Sequence, residues 1–418
     1  MEPTQLAEEL VDKVIKGEVK LHELDKITGN SNVATYIRRR VIERLTGTKL
    51  HNIGYYSIDF NEVVGHNCEN TIGVVQVPLG VAGPLLINGR YARGMYYIPL
   101  ATTEGALVAS INRGCKIVTE NGGVRTLVIR DYMSRAPLFK FRTLDEVEKF
   151  LEWVDQHYED IKRAAEATSR YARLVGIEKY VVGNNVWLRF KFTTGDAMGM
   201  NMVTIAVSRA VEYILENFPN ARLVAISGNL CVDKKPCALN LILGRGKTVI
   251  AEATISRRYL IERLNVNPED VVDVVLRKNM LGSAQAASYG FNAHFANIIA
   301  AIFIATGQDV AQIVESSMGF TWAEITENGD LYFSVTLPSL EIGTVGGGTR
   351  LPTQTEALQI LGVAGPGNPP GTNAIKFAEI VAGAVLAGEL NLVIALARNE
   401  LARAHERLGR GGGGDIKR

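Results

Sequence analysis

The sequence predicts an α/β protein of three parts: a small helical N-terminal domain, a large α/β domain built around a central helix, and an α+β segment inserted into that domain. The 418 residues are two to three times an average domain of about 150 residues. Hydrophobic residues make up 47% and charged residues 21%, enough to bury a sizeable core. Residues 137–225 change to alternating strand and helix units, unlike the helix-rich remainder.

The N-terminal domain, residues 1–50, is predicted to consist of short charged helices. Leu6, Leu10 and Val14 recur at helical spacing. Acidic and basic residues alternate over the first 25 positions without a long apolar run, so we expect neither a signal peptide nor a membrane anchor there.

Residues 51–136 are predicted to form the first part of the large domain. Short β-prone pieces with Gly and Pro turns occupy 69–84, and Thr102 or Thr103 then caps a helix with Glu104 in its first turn. One face of that helix carries Leu107, Ile111, Cys115 and Val118.

The inserted segment, residues 137–225, is predicted to contain an alternating strand, a helix opened by Asp196, and a strand over Leu223–Ile226. The alternating strand buries Val186, Leu188, Phe190 and Phe192.

The second part of the large domain, residues 226–418, contains the apolar run Ile380–Ala397. This run is near membrane-spanning length, but it includes Glu389 and Asn391, so we predict a buried helix.

Charge and cysteine content exclude several classes of function. Lys plus Arg (45) nearly balances Asp plus Glu (44), which argues against nucleic acid or an anionic membrane as a partner. The four cysteines form no CxxC pair and none lies near a His at zinc-ligand spacing. We therefore expect no bound metal and a reducing, cytoplasmic location.

No P-loop and no GxGxxG between a strand and a helix are present, which argues against a Rossmann domain. The stretch GDAMGMNM (195–202) enters a helix, and such an N-terminus can bind an anion. The alternative is a capped core helix.

Several polar residues lie in apolar surroundings and are candidates for chemistry. Asp233, Lys234 and Lys235 form a polar loop, with solvated lysines as the alternative. Glu104 is expected to be partly desolvated and able to donate a proton; the alternative is a carboxylate favoured by a helix N-terminus. Asp309 follows an apolar run and should have a cationic partner.

His405 lies just before the glycine-rich tail, where core packing is not required of it. Imidazole titrates near neutrality and is suited to proton transfer if the tail covers a site. A surface position on a helix is the alternative.

Eight motifs occur in an order that resembles the 3-hydroxy-3-methylglutaryl-CoA (HMG-CoA) reductase family, from about residue 50 to 408. They are ENTIGVVQVPLGVAGPL (69–85), ATTEGALVASINRGC (101–115), TSRYARL (168–174), GDAMGMNM (195–202), SGNLCVDKKP (227–236), NAHFANI (292–298), ATGQD (305–309) and EIGTVGGGT (341–349).

The resemblance implies reduction of HMG-CoA to mevalonate and free CoA by two hydride transfers from NADPH. Lys234 would stabilise the oxyanion, and Glu104 would protonate or hydrogen-bond the carbonyl oxygen. Asp309 would link and tune these two groups. His405 would protonate the departing CoA thiolate.

The resemblance also implies binding residues. Arg135, Ser227, Lys235 and Lys278 would hold the substrate carboxylate. Asn229 and Asn297 would orient Lys234, and His294 would lie near the thioester. For CoA the binding residues are Ser110, Asn112, Arg113 and Lys116. For the dinucleotide, bound by a ferredoxin-like rather than Rossmann segment, they are Ser169, Arg170, Tyr171, Asp196, Met198, Gly199, Met200 and Asn201.

The resemblance further implies a soluble class I enzyme, the archaeal and eukaryotic form, because Met200 stands where NADH-preferring bacterial enzymes usually have Ala. It implies a homodimer or homotetramer with the active site at the subunit interface. Two alternatives stay open: a mevalonate-oxidising, NAD-dependent enzyme, and a catalytically silent CoA-ester-binding protein.

Overall fold

The computed structural model describes residues 5–398. Its helices are α1 (Gln5–Ile15), α2 (Leu24–Thr28), α3 (Ser31–Thr46), α4 (Leu107–Glu120), α5 (Leu144–Gln156), α6 (Tyr158–Glu166), α7 (Met200–Asn217), α8 (Ala238–Leu243), α9 (Arg257–Leu264), α10 (Pro268–Val274), α11 (Ser283–Gln285), α12 (Phe295–Thr306), α13 (Ile313–Ser316), α14 (Pro352–Ile360) and α15 (Thr372–Ala397). A π-helical stretch, Val275–Gly282, joins α10 to α11.

The strands are β1 (Leu79–Asn88), β2 (Arg93–Ala101), β3 (Arg125–Arg135), β4 (Leu138–Lys140), β5 (Arg173–Val182), β6 (Asn185–Thr193), β7 (Arg222–Ala225), β8 (Gly246–Ile255), β9 (Gly290–Phe291), β10 (Gly319–Ile325) and β11 (Leu331–Leu340). Strands β1 and β2 form an antiparallel pair of their own. The other nine form one sheet in the order β7-β4-β6-β3-β8-β11-β10-β9, with β5 on β6.

Strand β3 belongs to both halves of the larger sheet. Its first part, from Arg125 to Tyr132, pairs with β8, and its end, from Met133 to Arg135, pairs with β6. One continuous strand therefore carries Arg135 from the large domain to the edge of the inserted segment.

The described residues form three separate hydrophobic cores. One lies within residues 7–41, one within 133–221, and the largest joins residues from 82 to 394. The division into three domains stays a prediction, which these cores favour.

Helix α15 runs through the largest core and is buried over most of its length. It is long and apolar enough to span a membrane by composition, but 78% of its most apolar window is buried inside the protein. The predicted buried helix is therefore confirmed.

Two sequence patterns correspond closely to the structure. The four apolar residues predicted on one face of α4 are all buried. In β6, the predicted alternation from Val186 to Phe192 is also found, and Arg189, on the opposite face of the strand, is fully buried as well. Burial of alternate strand positions and of one helix stripe follows from local periodicity alone.

Three predicted boundaries are wrong. Helix α4 begins at Leu107, since Ala106 has a left-handed backbone (φ 72°); Thr102 instead accepts the Glu104 N–H in the preceding turn, at 3.0 Å. Helix α7 begins at Met200, not at Asp196. No strand lies between residues 69 and 78; β1 begins at Leu79.

Candidate active site

The loop 227–236 between β7 and α8 has an unusual backbone. Asn229, Val232 and Lys234 have left-handed conformations, with φ of 66°, 50° and 59°. Such conformations cost on the order of 1 kcal/mol or more for residues with a side chain, most of all for a β-branched one, so surrounding contacts must hold them.

Lys234 and Asp309 form an ion pair, with 2.8 Å between Nζ and Oδ2. Asp309 lies just after α12 and also accepts the Ala311 N–H at 3.1 Å, which orients its carboxylate. The hydrogen bond to Asp309 raises the pKa of Lys234 above its ordinary value. The loop therefore presents a fixed ammonium group, and Asp309 has the cationic partner expected for it.

Arg135 lies beneath the first residue of this loop. It is nearly buried, and its guanidinium donates to Ser227 Oγ at 2.8 Å and to Thr204 Oγ1 at 2.8 Å. Lys235 is exposed and donates to the Asp233 carbonyl at 3.2 Å, and Asn229 is exposed. A cation, a hydroxyl and a second ammonium group therefore lie within one short loop and the strand below it.

Glu104 pairs with Asn297, with 3.3 Å between Asn297 Nδ2 and Glu104 Oε1. In the single chain Glu104 is exposed, so the expected partial desolvation is not found: the turn 102–106 lies on the surface before α4 begins. Asn297 is near the start of α12 and Asp309 follows its end, and a helix of 12 residues is about 18 Å long. Within the described chain, no hydrogen bond or ion pair joins Glu104 to Lys234 or Asp309.

Two more predicted binding residues are His294, at the start of α12, and Lys278, on the π-helical stretch. The backbone N–H groups of Ala293 and His294 donate to the buried Glu389 at 2.5 and 3.1 Å, and His294 Nε2 lies 3.0 Å from the Gly388 carbonyl. Lys278 is exposed, on the π-helical stretch. Sequence reasoning missed the anchoring role of Glu389, although an acid in an apolar helix was a usable signal.

The predicted CoA contacts share α4. Arg113 and Lys116 are exposed on this helix. Ser110 accepts a hydrogen bond from Asn391 at 2.8 Å, and Asn112 accepts the Gly83 N–H at 2.9 Å. The two cations are accessible to an anion, whereas Ser110 and Asn112 already have protein partners.

Ser169, Arg170 and Tyr171 line an open surface cleft of 540 Å³, together with Arg173. The guanidinium carbon of Arg170 lies 5.7 Å from the Tyr171 ring centre. Arg173 is paired with Glu166 in the same cleft at 3.4 Å, so Arg170 is the guanidinium group there that suits a phosphate.

The GDAMGMNM residues divide into two groups. Met198, Gly199 and Asn201 lie at the entry to α7, Gly199 with φ 96°. Met200 is buried, with its sulfur 2.8 Å from Arg245 Nη2. Asp196 accepts backbone N–H groups from Gly367, Gly371 and Ala374 at 2.7–3.0 Å.

Asp196 therefore caps the N-terminus of α15 rather than that of α7. His405, the predicted thiolate-protonating residue, lies outside the described residues.

Comparison with known proteins gives the family. The model of the hydroxymethylglutaryl-coenzyme A reductase family matches residues 34–410. The chain belongs to this family. The reductase of Pyrococcus horikoshii is 59% identical over 405 residues, covering 96% of this chain and 98% of that one, and the reductase of Aeropyrum pernix is 59% identical over 406 residues, covering 97% and 96%.

More distant reductases resemble the chain as well. Reductase 3 of Oryza sativa is 44% identical, covering 96% of this chain and 72% of its own. The NADPH-bound class II reductase of Streptococcus pneumoniae has a TM-score of 0.64 at 21% identity, covering 79% of this chain and 78% of that one. This structural likeness shows the shared mixed α/β fold.

Proposed function

We propose that this reductase converts HMG-CoA to mevalonate and CoA at the expense of NADPH. The single observation that carries the proposal is the Lys234–Asp309 ion pair, on a loop that also holds Ser227 over Arg135. The curated relatives that match the chain end to end, all named as HMG-CoA reductases, support it.

The fixed ammonium of Lys234 suits an electrostatic role at the reacting carbonyl. When bound, NADPH supplies the hydride, and negative charge then develops on the carbonyl oxygen. A preorganised cation stabilises that charge more than it stabilises the neutral thioester, which lowers the barrier. Asp309 holds Lys234 charged and in place, and the second reduction, of the aldehyde, makes the same demand.

The loop and the strand beneath it suit the free carboxylate of the substrate. Arg135, Ser227 and Lys235 supply a guanidinium, a hydroxyl and an ammonium group, and charged donors bind carboxylates about twice as strongly as neutral ones. Lys278 and Asn229 are exposed and stay predicted contacts.

NADPH rather than NADH is favoured by the cleft at Arg170. The 2′-phosphate distinguishes the two cofactors, and Arg170 offers it a guanidinium group, whereas Arg173 is paired with Glu166 at 3.4 Å in the same cleft. The entry to α7 at Gly199 is the second element of the proposed dinucleotide site.

We further propose that two chains complete each active site. Glu104 is bonded to Asn297 in the first turn of α12, and Asp309 follows the other end of that helix. Glu104 of one chain would instead meet Lys234 of a second copy. The β1–β2 pair, which leads directly to Glu104, leaves apolar side chains half exposed or more, as an interface would require: Leu79, Val81, Met95 and Tyr97.

The class I assignment is likewise a proposal. The chain is 44% identical to a plant reductase and 19–21% identical to the class II reductases of Streptococcus pneumoniae. A soluble cytoplasmic enzyme with an inserted cofactor domain at 137–225 fits this class.

Product analysis tests the proposed function. The purified chain, given HMG-CoA and NADPH, should form mevalonate and free CoA, both identified by mass spectrometry. Binding of HMG-CoA without product would instead favour the silent CoA-ester-binding alternative.

A further inference from the structure

A fully buried guanidinium lies under the loop that carries Lys234. Arg245 Nη1 is 3.0 Å from Asp233 Oδ1, 3.1 Å from Glu315 Oε1 and 2.5 Å from Glu341 Oε1. Arg245, Glu315 and Glu341 have no exposed side-chain surface. The space that a metal ion would occupy among these three carboxyl groups is filled by the guanidinium nitrogen.

The cluster contains more acids than its one buried cation can balance. Burial raises the pKa of Glu341 well above its ordinary value, and burial also raises that of Glu315. Burial acts to raise the pKa of Asp233 as well, but the charge of Arg245 and further donors outweigh burial, and the pKa of Asp233 is lowered overall. A proton on Glu341 would bring the cluster closer to neutrality.

This cluster bonds directly to the backbone of the loop. Glu315 Oε1 accepts the N–H of Lys234 at 2.8 Å, at the residue whose φ is 59°. Gln312 donates to Asp233 at 3.2 Å, and Asn240 donates to the Val232 carbonyl at 3.0 Å. Two of the three left-handed residues are thus held by polar contacts from outside the loop.

We propose that Glu315 is a positioning residue for Lys234, fixing the left-handed backbone from which the ammonium group reaches Asp309. The proposal rests on the proposed function of Lys234 in catalysis. Glu315 acts by accepting one backbone hydrogen bond, so an oxygen at the right distance matters more than its charge.

Two substitutions separate the hydrogen bond from the charge. Glu315→Gln keeps the acceptor oxygen in place and, if Glu341 then ionises, keeps the total charge. Glu315→Asp keeps the charge but is one methylene too short to reach Lys234 N. We expect Gln to retain kcat within about threefold and Asp to lower it on the order of 10- to 100-fold, the cost of misplacing a catalytic group by about 1 Å.

Two further measurements and two further variants complete the experiment. KM for NADPH should stay within about twofold in both variants, which separates a loss of Lys234 position from a disturbance of the Arg245–Met200 contact at the start of α7. Glu315→Leu serves as a second variant without an acceptor in case Asp does not fold, and Glu327→Asp on an exposed turn is the matched control. Thermal unfolding confirms that each variant tested is folded.

The rate at which acetic anhydride labels Lys234, quantified by mass spectrometry, provides a measurement independent of turnover. If Lys234 loses its position, its hydrogen bond to Asp309 should break. Labelling should then be several-fold faster in the Glu315→Asp and Glu315→Leu variants, but not in Glu315→Gln. If wild-type protein does not turn over, the proposed function fails while labelling still tests the positioning role. The proposal would be overturned if the folded Glu315→Asp or Glu315→Leu variant had wild-type kcat and a wild-type labelling rate. It would also be overturned if the folded Glu315→Gln variant were as impaired as the other two.

Discussion

The charge on Lys234 is the feature of a single residue on which the proposed chemistry most depends. Its ammonium group is only partly exposed and is bonded to Asp309, so the cation is already oriented before substrate arrives. Prior orientation is what makes such a group effective, because no reorganisation is needed while charge develops.

Replacing Lys234 with Ala should therefore lower kcat by at least about 100-fold while leaving the KM for HMG-CoA within a few-fold, because the lost interaction belongs to the transition state. Steady-state kinetics measure both constants. Lys149→Ala, at an exposed position on α5, is the matched control. Near-wild-type kcat in a folded Lys234→Ala protein would contradict this role.

In the proposed cofactor site, the preference for NADPH depends most on one side chain, that of Arg170. Arg170→Ala should raise the KM for NADPH by about 10-fold or more and that for NADH little, since a charge-assisted bond to a phosphate contributes about 1.5–3 kcal/mol. Arg163→Ala, exposed on the neighbouring helix α6, provides the control. Equal losses with both cofactors would mean that Arg170 does not contact the 2′-phosphate.

Sequence reasoning found Lys234 and Asp309 but not what holds them. Glu315 and Glu341 lie 70 and 96 positions from Arg245, so no local pattern connects them. The exposure of Glu104 was missed for a related reason: the sequence around it is apolar, but the fold places that turn on the surface.

Buried carboxylates connect the elements of the large domain. Glu379 accepts the N–H groups of Arg90, Tyr91 and Ala92 between β1 and β2, and Glu389 accepts those at the start of α12. Each satisfies backbone donors that would otherwise be buried without a partner. Helix α15 is thus tied by its own acids to the elements that carry Glu104 and Asn297.

The same contacts explain which elements the sequence predicts. The buried faces of α4 and β6 depend on spacing within the element, and these predictions are confirmed. The start of α7 depends on where Asp196 bonds, and the backbone N–H groups that donate to Asp196 lie 171–178 positions away. Local capping rules cannot supply that information.

The acid cluster between α13 and β11 predicts a pH-dependent stability. Because the pKa of Glu341 is raised in the folded state, its contribution to stability is present below the unfolded value near 4.5 and is lost as pH rises through the folded pKa. Glu341→Gln mimics the protonated form. The unfolding free energy of this variant minus that of wild type should therefore increase with rising pH, by up to about 1.4 kcal/mol per pH unit.

Guanidinium unfolding curves at several pH values from 5 to 8 measure this difference. Glu327→Gln on the exposed turn should show a constant offset. A constant offset for Glu341→Gln as well would show that Glu341 is ionised throughout.

At the scale of the whole molecule, the described chain holds two proposed catalytic pairs, Glu104–Asn297 and Lys234–Asp309, at opposite ends of α12. The proposed dimer brings Glu104 of one chain to Lys234 of the other, as a two-fold interface allows. The sequence motifs contain the residues of both pairs, but only the fold shows that, within the described part of one chain, the two pairs do not contact each other.

Subunit complementation tests this arrangement. Glu104→Ala and Lys234→Ala proteins should each be inactive, whereas their co-expressed mixture should recover about a quarter of wild-type activity, since half the dimers are mixed and each has one intact site. Sites contained within single chains would leave the mixture inactive, because every chain then carries one lesion.

The most direct test of the proposed reductase is the ratio of NADPH oxidised to mevalonate formed, with HMG-CoA as the only acceptor. Oxidation of NADPH is followed by its absorbance at 340 nm, and mevalonate is quantified separately. The account predicts about two NADPH oxidised per mevalonate and per CoA released, and loss of that activity in Lys234→Ala. No oxidation of NADPH, or oxidation that Lys234→Ala leaves unchanged, would contradict it.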